Sequence, residues 1–229
     1  MIYKTLLFDL DSTVWDFHSA ENYALTKLLE NHGVSDIEKY IEVYIPMNRA
    51  MWRSLEKNEI TREELVGTRF AKLFDHFGLE KDGHELASEY ESILSTQGQT
   101  IDGAEEMLHT LSKAGYDQLY AATNGITTIQ KGRLEHSPVT KYFKKVFISE
   151  ELKVAKPSPL FFERVAKDIP DFDKETAVMI GDSLTADIQG GINAGIDTIW
   201  VNLAHKENRT AVKPTVEVRS YAELLEFLV

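Results

Sequence analysis

Cysteine is absent from this chain of 229 residues. That removes disulfides, thiolate nucleophiles and zinc–sulfur sites together, and it agrees with a reducing compartment. Basic residues are outnumbered: 25 Lys and Arg stand against 37 Asp and Glu, a formal charge of −12. Nucleic acid requires a concentrated basic face, so no nucleic-acid partner is expected. An acidic shell also repels anionic ligands, which would need a local lysine or bound cation to overcome it. No run approaches the ~20 apolar residues of a spanning helix, and Asp9 interrupts the first apolar stretch almost at once. No membrane partner is expected, and a cytoplasmic location is. Repeats and low-complexity tracts are missing. The histidines are scattered with no pair at ligand spacing, so they receive no catalytic role.

What is present is an ordinary globular composition, 43% apolar and 27% charged, long enough for one substantial domain and a smaller one. Lys4 to Phe8 reads as a short buried strand closed by Asp-Ser turn chemistry. From Trp15 to Gln99 the periodicity is helical. One helix is opened by Ser19 and closed by Gly33, and a second spans about Asp36 to Lys57. A third is led by the capping box Thr61-Arg-Glu-Glu64 and stops at Gly78, and a fourth covers Gly83 to Leu94. From Thr100 helices alternate with strands. Gly103 to Ala114 is a helix, and strands are expected at Gln118 to Thr123, Val146 to Ser149, Ala177 to Ile180 and Ile196 to Val201. Ser158-Pro159 starts another helix, and Ser220-Tyr-Ala-Glu223 caps the last. This alternation predicts an α/β fold with a doubly wound parallel sheet. Residues 1–14 and 100–229 form the core, and 15–99 an inserted α-helical cap. The outgoing linker lies near Thr13 to Phe17, and Gln97-Gly98-Gln99 is the return hinge.

Polar residues follow the expected strands at four places: Asp9 and Asp11, Thr123-Asn124-Gly125, Lys156-Pro157, and Gly181-Asp182 through Asp187. Each alone has an ordinary explanation as a turn, a helix cap or a solvated lysine. All four sit at carboxyl strand ends, however, where doubly wound sheets bind ligands. Two carboxylates held one residue apart repel each other and persist only if a metal, a proton or a task compensates.

On these four motifs, in this order, the chain resembles the haloacid-dehalogenase-like (HAD) hydrolases over nearly its whole length. The resemblance implies a Rossmann-like core with the helical cap inserted after the first strand. It implies phosphoryl transfer with Asp9 as nucleophile, forming an aspartyl-phosphate. Mg2+ would be held by the Asp9 carboxylate, the Asp11 backbone carbonyl and Asp182, with Asp187 supporting. Asp11 would protonate the leaving oxygen and then deprotonate the attacking water, a dual role that calls for a raised pKa. The Thr123 hydroxyl and Asn124 backbone N–H would orient the phosphoryl oxygens, and Lys156 would offset their charge and keep Asp9 ionised. Dehalogenases of the family lack an acid at the position of Asp11, since halide leaves without a proton. Asp11 therefore favours a phosphatase.

Thr123-Asn-Gly-Ile-Thr, Arg133-Leu-Glu, Tyr142-Phe143, Ile148-Ser-Glu-Glu151 and Val154-Ala-Lys156-Pro look like the bacterial pyrimidine 5′-nucleotidase branch, as does Asp187-Ile-Gln-Gly-Gly-Ile-Asn-Ala-Gly195. The expected substrate is a nucleoside monophosphate. A sugar phosphate or phosphoglycolate is the alternative, followed by a dehalogenase or a non-catalytic phosphate-ester binder. Lys153, where the branch often carries Gly, and Ser137-Pro138, in place of a Thr-Gly-like turn, depart from its pattern. Gly190 and Gly191, inside a helix, are expected to permit close helix–sheet packing. In the cap, Trp15, Phe17 and Trp52 are candidates to stack on a base and Asn48 and Arg49 to read its edges or the sugar, with a packing role preferred for all but Trp15 and Phe17. Met47, Met51, Trp52 and Leu55 are expected as cap core. The protein is expected to act as a monomer or homodimer.

Overall fold

The computed structural model describes residues 3–229. Its strands are β1 Thr5–Phe8, β2 Leu119–Thr123, β3 Lys145–Ile148, β4 Ala177–Gly181, β5 Asp197–Val201 and β6 Val216–Val218. They form one parallel sheet in the order β3-β2-β1-β4-β5-β6. The helices are α1 Phe17–Asn31, α2 Ile37–Glu56, α3 Arg62–His76, α4 Gly83–Leu94, α5 Ala104–Lys113, α6 Thr127–Glu135, α7 Pro159–Lys167, α8 Gln189–Ala194 and α9 Tyr221–Leu228.

A parallel sheet is covered on both faces, so its central strands read as continuous apolar runs. Every residue of β1 (Thr-Leu-Leu-Phe) and of β4 (Ala-Val-Met-Ile-Gly) is buried. The pleat sends Leu6 and Phe8 to one side, packed in a core with Leu108 and Leu111 of α5 and Leu224 of α9. Leu7 goes to the other, into a core with Phe161 and Val165 of α7 and Ala194 of α8. The result is a Rossmann-like α/β sandwich, with the strand order reversing about β1. Gly191 of α8 behaves as its sequence suggests: a Cβ there would lie 2.4 Å from Thr198 Cγ2 of β5.

The chain divides into two compact units, His18–Gln97 and the remainder, with Phe17 and Gly98 bounding the latter. The helical unit holds an aromatic core in which Tyr44 stacks on Phe70 at 5.3 Å and Tyr40 on Phe77 at 3.8 Å. Thr61 caps α3 by accepting from Glu64 N at 3.1 Å, as the capping box predicts. The buried face of α2 is Tyr40, Tyr44, Asn48 and Met51. Of the four residues expected as core on this helix only Met51 is buried; Trp52 lies off that seam, Met47 borders it and Leu55 falls on it in the last turn, and all three are half-buried. Among the described residues no helix is long and apolar enough to cross a membrane.

Two elements were not foreseen. β6 is three residues long and has a glutamate at its centre, too short for alternation to register. α6 escapes because its buried residues are Ile129, Gln130 and Arg133, a largely polar inward face without hydrophobic periodicity.

Candidate active site

All four strand-end motifs reach the same edge of the sheet. Asp9 leaves β1 while its N–H still donates to Ile180 O of β4 at 2.8 Å. Its carboxylate accepts from Lys156 Nζ at 2.7 Å and, weakly, from the Thr13 hydroxyl at 3.5 Å. Lys156 is 1% exposed. It also donates to Asp187 Oδ1 at 2.6 Å and to the Ala122 carbonyl at 2.5 Å, so its three N–H groups are all committed.

The end of β4 is shaped around Asp187. Its Oδ2 accepts from Ser183 N at 2.9 Å. A Cβ on Gly181 would lie 2.3 Å from that same oxygen, so only glycine fits there. The Ser183 hydroxyl caps the π-helical turn Leu184–Ile188 by accepting from Ala186 N. The Asp182 backbone is held by Trp200, whose indole N–H donates to its carbonyl at 2.9 Å.

At the end of β2, the Thr123 hydroxyl oxygen accepts from Gly125 N at 3.1 Å and Gln130 Nε2 at 2.8 Å. The Asn124 side chain exchanges two bonds with the Lys156 backbone, to its carbonyl at 2.8 Å and from its N–H at 2.9 Å. This amide ties the loop after β2 to the loop that carries the lysine. Asp11 faces a different set of groups. It is ion-paired with Arg133 and accepts from Gln130 Nε2 at 2.9 Å.

Carboxylate oxygens of Asp9, Asp182 and Asp187 all lie within 4.8 Å of one another. One buried ammonium faces these three acids, and Lys206 reaches Asp182 only from the solvent side at 3.7 Å. The imbalance shows in their proton affinities. Burial pushes the Asp9 carboxyl well above the usual carboxylate range; Lys156 pulls against that, and Asp187, Asp11 and Asp182 add to the rise. Burial, then the charge of Asp187, lifts Asp182 from 3.8 to about 7. Burial works against the Lys156 charge, but Asp187 and Asp9 outweigh it and hold the ammonium protonated above the ordinary lysine range. Excess negative charge on hard oxygen donors is the condition under which a divalent cation such as Mg2+ binds, so these residues fit that ion.

Thus Asp9, Asp182 and Lys156 are brought together, with Thr123 at the end of β2 and Asn124 just beyond it. Gln130 and Arg133 are polar neighbours of this site that sequence reasoning assigned no role. Only their i, i+3 spacing on one helix face could have linked them. Trp15 is not available to stack on a base: it is fully buried, donates to the Ser137 hydroxyl at 2.8 Å and lies under the Arg133 guanidinium at 4.3 Å. Phe17 also faces that guanidinium, at 5.7 Å. Asn48 is buried within the helical unit, donating to Glu21 at 3.0 Å, whereas Arg49 is exposed.

Known proteins resemble this chain over most or all of its length. Residues 3–195 match the model of the haloacid dehalogenase-like hydrolases. The chain is 57% identical over 228 residues to the pyrimidine 5′-nucleotidase PynA of Streptococcus pneumoniae, covering 100% of this chain and 96% of that protein. A crystal structure of YfnB from Bacillus subtilis bound to magnesium superposes with a TM-score of 0.94 at 40% identity, covering 100% of this chain and 99% of the other. An L-2-haloacid dehalogenase of Xanthobacter autotrophicus shares the fold, with a TM-score of 0.76 at 16% identity and coverage of 99% and 98%.

Proposed function

Because this chain belongs to the haloacid dehalogenase-like hydrolase family, we propose that it is a Mg2+-dependent phosphatase whose preferred substrates are pyrimidine nucleoside 5′-monophosphates. The observation that carries the reading is the meeting of Asp9, Lys156, Asp182 and Asp187 at one strand edge, with a second acid, Asp11, two residues beyond the first. The full-length similarity to PynA supports the substrate class.

An Asp9 oxygen attacks phosphorus while Asp11 delivers a proton to the departing ester oxygen, leaving an aspartyl-phosphate and the free nucleoside. Asp11, now ionised, takes a proton from water. That water attacks phosphorus, the bond to Asp9 breaks, and phosphate leaves. Lys156 positions Asp9 and, against burial and the neighbouring acids, favours the ionised form that the first step needs. The Thr123 hydroxyl hydrogen and the Asn124 N–H are the donors placed to orient the phosphoryl oxygens. The Asp9 and Asp182 carboxylates and the Asp11 carbonyl are the groups that would hold Mg2+, with Asp187 steadied by Lys156 and Ser183 behind them. The ion would supply neutralisation of phosphoryl charge against an anionic nucleophile.

Turnover of UMP, dUMP, dTMP, phosphoglycolate and hexose phosphates by the purified protein with Mg2+ tests the substrate. Nucleotides should lead, and sugar phosphates turning over far faster would overturn that assignment. Asp9→Asn should lower hydrolysis to below about one-thousandth of wild type while UMP binding by calorimetry persists. Undiminished hydrolysis would remove Asp9 from the mechanism.

A further inference from the structure

Arg133 is wholly buried, a costly placement for a guanidinium unless it is paired. Its ionic partner is Asp11, the acid that lies outside the Lys156 cluster. The two Asp11 oxygens are held by different residues, Oδ1 by Arg133 and Oδ2 by Gln130, so the carboxylate is fixed at two points. Gln130 divides its amide N–H groups between Asp11 and the Thr123 hydroxyl, at 2.9 and 2.8 Å, linking the acid to the expected phosphate-binding residue. Behind this pair, Arg133 lies over the Trp15 ring, and Trp15 is anchored by Ser137 and by backbone pairing with Asp11 and Thr100. Gly125 makes room for the arrangement: a Cβ there would lie 2.4 Å from Gln130 Cδ.

We propose that Arg133 and Gln130 are positioning residues for proton transfer by Asp11, dedicated to substrates whose leaving oxygen must be protonated. The proposal rests on the reading of Asp11 as the acid–base group. A proton donor contributes only when aimed at the departing atom, and two-point fixation supplies that aim. A short helix with a polar inward face is thus explained by its function: Gln130 and Arg133, three residues apart, present one surface to one carboxylate.

The test compares two leaving groups. A nucleoside alkoxide needs a proton to depart, whereas p-nitrophenolate does not. Arg133→Met and Gln130→Leu should lower kcat for UMP at least about tenfold more than for p-nitrophenyl phosphate, with KM little changed. Arg133→Lys should recover part of the loss, and Arg133→Met placed on Asp11→Asn should cost nothing further on UMP. Equal losses on both substrates, or losses that multiply in the double variant, would overturn the positioning role. Should Arg133→Met fail to fold, Gln130→Leu, which removes no charge, carries the same comparison. Asp11→Asn is the control: leaving-group dependence there without any in the other two variants rejects only this inference. Its absence in Asp11→Asn rejects the acid–base reading as well.

Discussion

Lys153 holds a φ of +52°, in the left-handed region where an L side chain crowds the following carbonyl oxygen. Glycine, the residue the resemblance leads one to expect there, adopts this conformation without that cost. Lys153→Gly removes a conformational cost of about 1–2 kcal/mol but adds about 0.5–1 kcal/mol of unfolded-state entropy. The variant should gain up to about 1.5 kcal/mol, read as a higher urea midpoint at unchanged slope. A lower midpoint would mean that the lysine side chain contributes more than the strain costs. Ser137, the other departure from the branch, has a distinct task in accepting the Trp15 indole N–H. Both departures were visible in the sequence, but their reasons are a backbone angle and a partner 122 residues away.

Among the elements, α8 and β5 approach so closely that residue 191 has no room for a methyl group. Thr198 cannot yield easily: it is buried, β-branched, and accepts a bond from Thr215 N at 3.1 Å through its hydroxyl. Gly191→Ala gains helix propensity of about 1 kcal/mol, yet overpacking costs about 1–3 kcal/mol. Net destabilisation is therefore expected in denaturant melts. Thr198→Ser keeps the hydroxyl and removes the crowding methyl, so it should rescue part of the loss in the double variant. No rescue would place the strain elsewhere. α6 shows the converse of such apolar packing. Helices α3, α4 and α5 were legible from caps and apolar spacing, whereas α6 turns Gln130 and Arg133 inward and offers no such signal.

For the molecule as a whole, the acidic cluster links stability to pH and to cations. Asp182 titrates near 3.8 when unperturbed and at about 7 in the fold, so the native protein binds more protons than the unfolded chain across that interval. Without metal, stability should be greatest below pH 4 as far as this group is concerned, and should be lost as pH rises through about 7. Mg2+ would compete with that proton. It should therefore raise the melting temperature more at pH 8 than at pH 5.5 in paired thermal melts. An equal rise at both pH values would place the ion elsewhere. The sheet's interior and the strand-end location of its acids are already legible in the order of residues along the chain. Strands buried on both faces must be apolar throughout, and the first polar residues after parallel strands emerge at one shared edge. Which acid meets which cation was decided only in three dimensions. Lys156 lies 147 residues from Asp9, and Arg133 lies 122 from Asp11. No local period encodes such a pairing. A buried charge finds its partner through the packing of whole elements, and α6 acquired its meaning only when β1 and β2 brought Asp11 and Thr123 beside it.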